Sequence, residues 1–377
     1  MTDADRFAQW KRQLTAISSQ PLELCPAFPE IAARWEDWWN FRADRPLMMA
    51  SSILRDDIYW GRGFRFLENG EHDQWLRAMR AQVENVRWLG ELLPRVRVDI
   101  GPEAPAAFLG APLHLSEQEQ TAWNTPVIES WEPPPEFKFD PDNKWFRLVV
   151  SLFERLAEEA RGRHVVCLPD MGGAVDVLVN MRSPTMLCMD IMDDAREAVK
   201  AAALQVADAW APMYNTILDT ILGRGTGYIN QMSPWSNEAY VVPTCDFNAM
   251  IGPADFEEIC IPSLRRHAEH AGRICFHLDG PQASRHAEAL GRQDWIQTVQ
   301  YSPGEGTPSA LAKLAMFRGL QEAGKPLLVV APIGEVEEIA RKLDPRGLAI
   351  WVVGNINASA AGEFEAMIKR RPVATRP

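Results

Sequence analysis

An α/β fold with a parallel sheet, a (β/α)8 TIM barrel with an N-terminal helical elaboration, is predicted by three observations. Short apolar runs alternate with amphipathic segments from about residue 160 onward. Repeated strand–helix units of this kind build a parallel sheet with its helices outside. The glycine-rich stretch GRGTG (223–227) follows a helix rather than a strand, so it does not mark an open dinucleotide-binding sheet.

The elements follow in order. Residues 1–90 form a helical, Trp-rich N-terminal region; residues 91–377 form the barrel. Ten of the fourteen tryptophans fall within the first 150 residues, and they serve either as core or as an aromatic pocket for a cationic methyl donor. VRVDI (96–100) is the first strand of the main series. HVVCLP (164–169), GYINQM (227–232), RICFHL (273–278), WIQTVQY (295–301), PLLVVA (326–331) and LAIWVV (348–353) supply six more. PLMMASS (46–52) or VVPTCDF (241–247) supplies an eighth, which would close the ring. The helical pattern 193–222 is the longest, and the pattern beginning at Pro253 carries an internal Pro262 that should kink it.

Composition limits function. The formal charge of −12 is a poor footprint for nucleic acid or an anionic membrane. The N-terminus has no apolar signal region, and no stretch approaches a membrane-spanning length, so a cytoplasmic protein is expected. Six scattered cysteines without a CxxC pair suit reduced core thiols.

HLDG (277–280), CDFNAMIGPADFEEICIPSL (245–264) and GN (354–355) before an Ala-rich helix resemble the uroporphyrinogen decarboxylase and cobalamin-dependent methyltransferase superfamily. WEDWWNFRADRPLM (35–48), DIGPEAPAAFLGAP (99–112), TAWNTP (121–126), PDMGGAVDVLVNMR (169–182) and VQYSPGEGTPSALAKLAMFRGLQEAGKPL (299–327) are similar to its decarboxylase-like offshoot. The resemblance spans most of residues 27–368. It implies a barrel with its site at the C-terminal ends of the strands, and a homodimer. Two departures narrow it. The Arg-rich motif that grips porphyrinogen carboxylates has no counterpart, and RDDIYWGRG (55–63) does not replace it. The thiolate zinc ligands of the corrinoid methyltransferases are also missing, because the His-x-Cys element reads His277-Leu278-Asp279.

His277 and Asp279 stand two apart on a strand and so face the same way. They suit two ligands of a zinc ion, with Cys245, Asp246 or Asn355 as a third. Alternatively, Asp279 orients His277 as a metal-free general base, or the pair only caps the Gly280-Pro281 turn. Asp246 joins them as a catalytic residue. Asp170 and Asp176 flank MGGAV (171–175), whose glycines allow close approach of a ligand. Arg182 is a carboxylate clamp or one arm of a structural Arg–Asp bridge. Met232, Trp235, Gln300, Tyr301 and Asn355 end strands and complete the substrate-binding set.

Three functions are therefore expected to compete. The first is a demethylase-type methyltransferase for a small methylated substrate, with a separate corrinoid protein or tetrahydrofolate as methyl carrier. The second is a metal-free lyase for a small carboxylated substrate. The third is a non-catalytic small-molecule-binding barrel.

Overall fold

The computed structural model describes residues 2–102, 104–304 and 309–370. Residues 305–308, which hold the end of the SPGEG stretch, lie outside the described residues. The strands are β1 (Leu47–Ile53), β2 (Val86–Gly90), β3 (Arg95–Arg97), β4 (Leu113–Ser116), β5 (Thr121–Asn124) and β6 (Val165–Cys167). They continue with β7 (Tyr228–Ile229), β8 (Tyr240–Val241), β9 (Arg273–Asp279), β10 (Thr298–Ser302), β11 (Leu327–Ala331) and β12 (Leu348–Asn355).

Two parallel sheets result. The larger has the order β2-β1-β12-β11-β10-β9-β8 and is parallel except for β2, which pairs antiparallel with β1. The smaller is β3-β6-β7, parallel throughout. β4 and β5 make a separate antiparallel hairpin. Of the two alternatives for the eighth strand, 46–52 forms β1, whereas 241–247 gives only Val241 to the two-residue β8 before the chain leaves the sheet and enters a 3-10 turn at Asp246–Met250.

A ladder that closes into one ring is not seen among the described residues, and the seam between β7 and β8 shows why. Each of these strands is two residues long, and side chains do the joining. Tyr240 N donates to Tyr228 Oη (2.9 Å), Asn230 N to Tyr240 Oη (2.8 Å) and Asn230 Nδ2 to Tyr240 O (3.1 Å). Tyr214 Oη donates to the same carbonyl (2.8 Å). These side-chain bonds join the buried seam where a ladder is missing.

Amphipathic helices cover the sheets. Lys144–Ala160 buries Phe146, Val149, Leu152, Phe153, Leu156, Ala157 and Ala160 along one stripe. Its N-cap Asn143 accepts from the amides of Trp145 and Phe146. The helix expected from Pro253 is interrupted by a π-helical turn at Phe256–Cys260, immediately before Pro262. Proline removes one backbone donor, and the widened turn absorbs the misfit.

The tryptophan-rich N-terminal helices cap the N-terminal ends of the strands, opposite the site described below. Trp38 Nε1 donates to Leu327 O at the start of β11 (3.2 Å). Glu36 accepts two bonds from Arg273 at the start of β9 (2.9 Å each). Trp10, Trp35, Trp38 and Trp75 are fully buried, which fixes them as core rather than as a pocket for a methyl donor.

Glu91 anchors this cap. Its buried carboxylate accepts from Arg34 Nε (2.9 Å), Arg45 Nη2 (2.5 Å) and Met48 N (2.8 Å). Replacing it leaves two arginines and a strand amide unpaired. We expect Glu91→Ala to lower unfolding free energy by about 3–5 kcal/mol in chemical denaturation; a loss below about 1 kcal/mol would show that this ion cluster is dispensable.

Candidate active site

β9 places the first two residues of the site. Its alternation turns His277 and Asp279 to one face, and its parallel register sets Gln300 beside His277 and Ser302 beside Asp279. Gln300 Nε2 donates to Ser302 Oγ (2.9 Å), which points the Gln300 carbonyl oxygen at His277. His277 Nδ1–H donates to that oxygen. The imidazole is thereby held as one tautomer, with the Nε2 lone pair open. The left-handed turn at Gly280 (φ 79°) then ends the strand after Asp279.

The third residue comes from the chain following β8. His277 N donates to Pro243 O (3.1 Å), which draws this segment alongside β9. Asp176 then fixes it, accepting from Thr244 Oγ1 (2.9 Å), Asp246 N (2.7 Å) and Phe247 N (3.0 Å). Gly173, at the start of the helix that carries Asp176, permits the approach. A Cβ there would lie 2.0 Å from Thr244 O. Asp246 Oδ1 ends up 4.0 Å from His277 Nε2. That is too long for a hydrogen bond and leaves room for an ion, a water or a substrate atom.

One ligand atom each from Asp246, His277 and Asp279 lies within 4.8 Å of the other two. One nitrogen and two carboxylate oxygens suit zinc with a coordination position left open. The electrostatics agree. The Asp246 side chain is 58% accessible. Even so, the protein mass around this recess, followed by the Asp279 and Asp170 charges, pushes its carboxyl up to about 7. Three carboxylates gathered around one imidazole repel each other unless protons or a cation join them.

Beside the cluster lies a cavity of about 530 Å³ at the C-terminal ends of the strands, and both sheets contribute to its walls. β3 gives Arg97, the segment after β6 gives Asp170, and those after β7 give Gln231 and Met232. β10 gives Ser302, β11 Val330 and β12 Trp351. Asp170 accepts from Gly172 N (3.0 Å) and Gln231 Nε2 (3.1 Å). Burial raises its carboxyl, and Arg97 and then His277 act against that rise. It therefore feels the charge of both the arginine and the histidine.

Other expected residues fall elsewhere. Asp176 is buried against backbone donors and holds the loop rather than a ligand. Arg182 donates to both oxygens of Asp190 and to the carbonyls of Ile128 and Glu129, so its donors are spent on structure. Cys245 is buried, and a hydrogen bond with Cys260, then burial, holds its thiol far above the ordinary range, which is wrong for a metal ligand. Trp235 is core, with its ring 4.8 Å from Phe28 and Nε1 on Asn237. Tyr301 alternates away from Gln300 and packs on Phe317 at 5.2 Å. Asn355 accepts from Ser51 Oγ (2.7 Å) at the rim and is not part of the three-residue cluster.

Arg62, Arg97, Asp99 and Trp351, which line this cavity and the smaller one beside it, were not among the sequence expectations. A signal existed for two of them. In RVRVD, Arg95, Arg97 and Asp99 recur every second residue within an apolar strand, so they share one face.

No protein-family model matches the chain, and no curated protein does. Eighteen chains among solved structures match it in three dimensions. One is a methyltransferase from Methanosarcina mazei, with a TM-score of 0.59 and 11% sequence identity, over 90% of this chain and 98% of that one. At such identity the likeness shows a shared fold: mixed α/β, with a parallel sheet and surrounding helices.

Two outcomes are expected. In the metal-free protein, a carboxyl raised by folding adds stability that is complete below its unfolded value and is lost as pH rises through its folded value. The melting temperature of wild type relative to Asp246→Asn should therefore fall between about pH 4 and pH 7; a flat difference would show that Asp246 is not perturbed. Asp176→Ala should cost about 2–4 kcal/mol in chemical denaturation, because it strands three donors.

Proposed function

We propose that this chain is a demethylase-type methyltransferase acting on a small methylated substrate, with a zinc ion held by Asp246, His277 and Asp279. The support is the convergence of these three side chains at the strand ends, with the far nitrogen of His277 already held by Gln300. In this reading the two parallel sheets act as one (β/α)8 ring of the superfamily that the sequence resembles. The fold shared with the Methanosarcina mazei methyltransferase favours it. The methyl acceptor is a separate corrinoid protein or tetrahydrofolate.

When bound, zinc supplies Lewis-acid polarisation of the heteroatom that carries the methyl group. The chain's own residues do the rest. Gln300 keeps the Nε2 lone pair of His277 aimed into the recess. Asp176 keeps Asp246 in place through the loop backbone. The apolar wall of Met232, Val330 and Trp351 shields the substrate body from water. The leaving heteroatom retains the bonding electron pair and needs a proton, and Asp170, raised by burial beside the cavity, is placed to hold it.

A metal-free lyase is the second reading, favoured by the raised Asp246 carboxyl as an acid–base group. Metal analysis decides between them. Wild type should bind one zinc, with affinity falling as pH drops through about 7 because protons compete for the ligands. His277→Ala should lose the zinc and methyl transfer together, and Gln300→Leu should weaken zinc binding by about 10–100-fold. Full methyl transfer by His277→Ala would reject the assignment. Carbon dioxide release by protein free of metal would establish the lyase.

A further inference from the structure

Arg97 and Arg62 are the arginines that line the main cavity. Arg182 makes four hydrogen bonds. Among the described residues, neither the Arg97 nor the Arg62 guanidinium makes one. Each lies 3.5 Å from the same oxygen, Asp99 Oδ2. Asp99 Oδ1 is already taken by Gly101 N (2.8 Å). Arg97 Nε is buried without a partner. Both arginines line the main cavity and the adjoining space of about 310 Å³.

A buried guanidinium nitrogen without an acceptor is costly, and such groups mark a place where a ligand supplies the missing atom. The local charges leave the same gap. Arg62 and Arg97 share a single carboxylate, Asp99. Arg95 donates to Leu93 O (3.4 Å) and lies 5.3 Å from the Trp88 centroid and 5.6 Å from that of Trp351, while Arg62 meets one ring, Phe64, at 5.9 Å with its edge donors open. That leaves the planar donor forks of Arg97 and Arg62 for an incoming anion. Across the cavity from this cationic wall lies Ser302, which pairs in register with Asp279 of the acidic cluster.

We propose that Arg97, assisted by Arg62, anchors an anionic group of the substrate, so that the substrate is a small organic acid bearing a methylated heteroatom. The acid group sits on Arg97 and Arg62. The body lies along Trp351, Val330 and Met232, and the methylated end reaches the Asp246–His277–Asp279 cluster. A carboxylate and a sulfonate share this chemistry. The inference rests on the methyl-transfer reading for the methylated end, but not for the anion site.

The test is calorimetric titration of the zinc-supplemented full chain with 4-methoxybenzoate, 4-methoxybenzenesulfonate and the neutral 4-methoxybenzamide. Zinc content is measured in the same samples. Wild type should bind at least one anion about tenfold or more tighter than the amide, and Arg97→Met should bring that ratio close to one with zinc retained. Which anion binds better tells a carboxylate from a sulfonate substrate. Arg97→Lys should keep part of the preference, and Arg62→Met, whose side chain is 39% exposed, gives a second variant should Arg97→Met not fold. Equal binding of all three compounds, binding of none, or an unchanged ratio in both methionine variants would overturn the anion site. Anion preference without zinc uptake would instead sink the metal reading alone.

Discussion

The candidate site depends on one buried carboxylate that takes no part in it. Asp176 accepts two backbone amides and a hydroxyl from the loop after β8, and this fixes where Asp246 stands relative to β9. A loop segment makes few ladder bonds, so without such an anchor its side chains would sample many positions. Three hydrogen bonds to one buried acceptor hold it to one place. Gly173 is the steric condition for that contact, since any side chain there would collide with the Thr244 carbonyl.

The other half of the site is built differently. His277, Gln300 and Ser302 sit on adjacent parallel strands whose register is set by the sheet itself. The orientation of the imidazole is thus a product of strand pairing, while the position of its neighbouring carboxylate is a product of loop capture. Joining a rigid strand to a pinned loop gives a recess that can admit an ion yet holds its walls in place. The opposite end of the strands carries the heavy core, with the Trp35, Trp38 and Trp39 rings stacked edge to face under the sheet. Stability is concentrated at one end and polar chemistry at the other, as parallel strand–helix folds arrange them.

The cavity between the two is polarised. Arginines of β3 and of the segment before Phe64 line it together with Asp170 after β6, and Ser302 on its wall pairs in register with Asp279 of the three-residue cluster. Opposed charge in a recess of limited dielectric orients a bifunctional ligand far more strongly than in water. This matters more for substrate choice than the chain's overall charge of −12, which describes the outer surface.

Periodicity was legible in the sequence because it is local. Runs such as PLLVVA and LAIWVV, short and rich in β-branched residues, read as strands, and alternation alone put His277 beside Asp279 and on one face. The roles of Asp176, Arg182 and Cys245 were not legible, because each depends on a partner distant in the chain: Thr244 and Phe247, the Ile128 carbonyl, and Cys260. The shared dependence of Arg62 and Arg97 on the one carboxylate Asp99 was hidden for the same reason. A sequence shows that an arginine is present, but whether its donors are already spent is decided only when the chain has folded and every possible acceptor has been placed. Local pattern determined the elements and the paired residues of β9. Tertiary packing decided which charges were left over to meet a ligand, because hydrogen-bond satisfaction is a property of the whole fold.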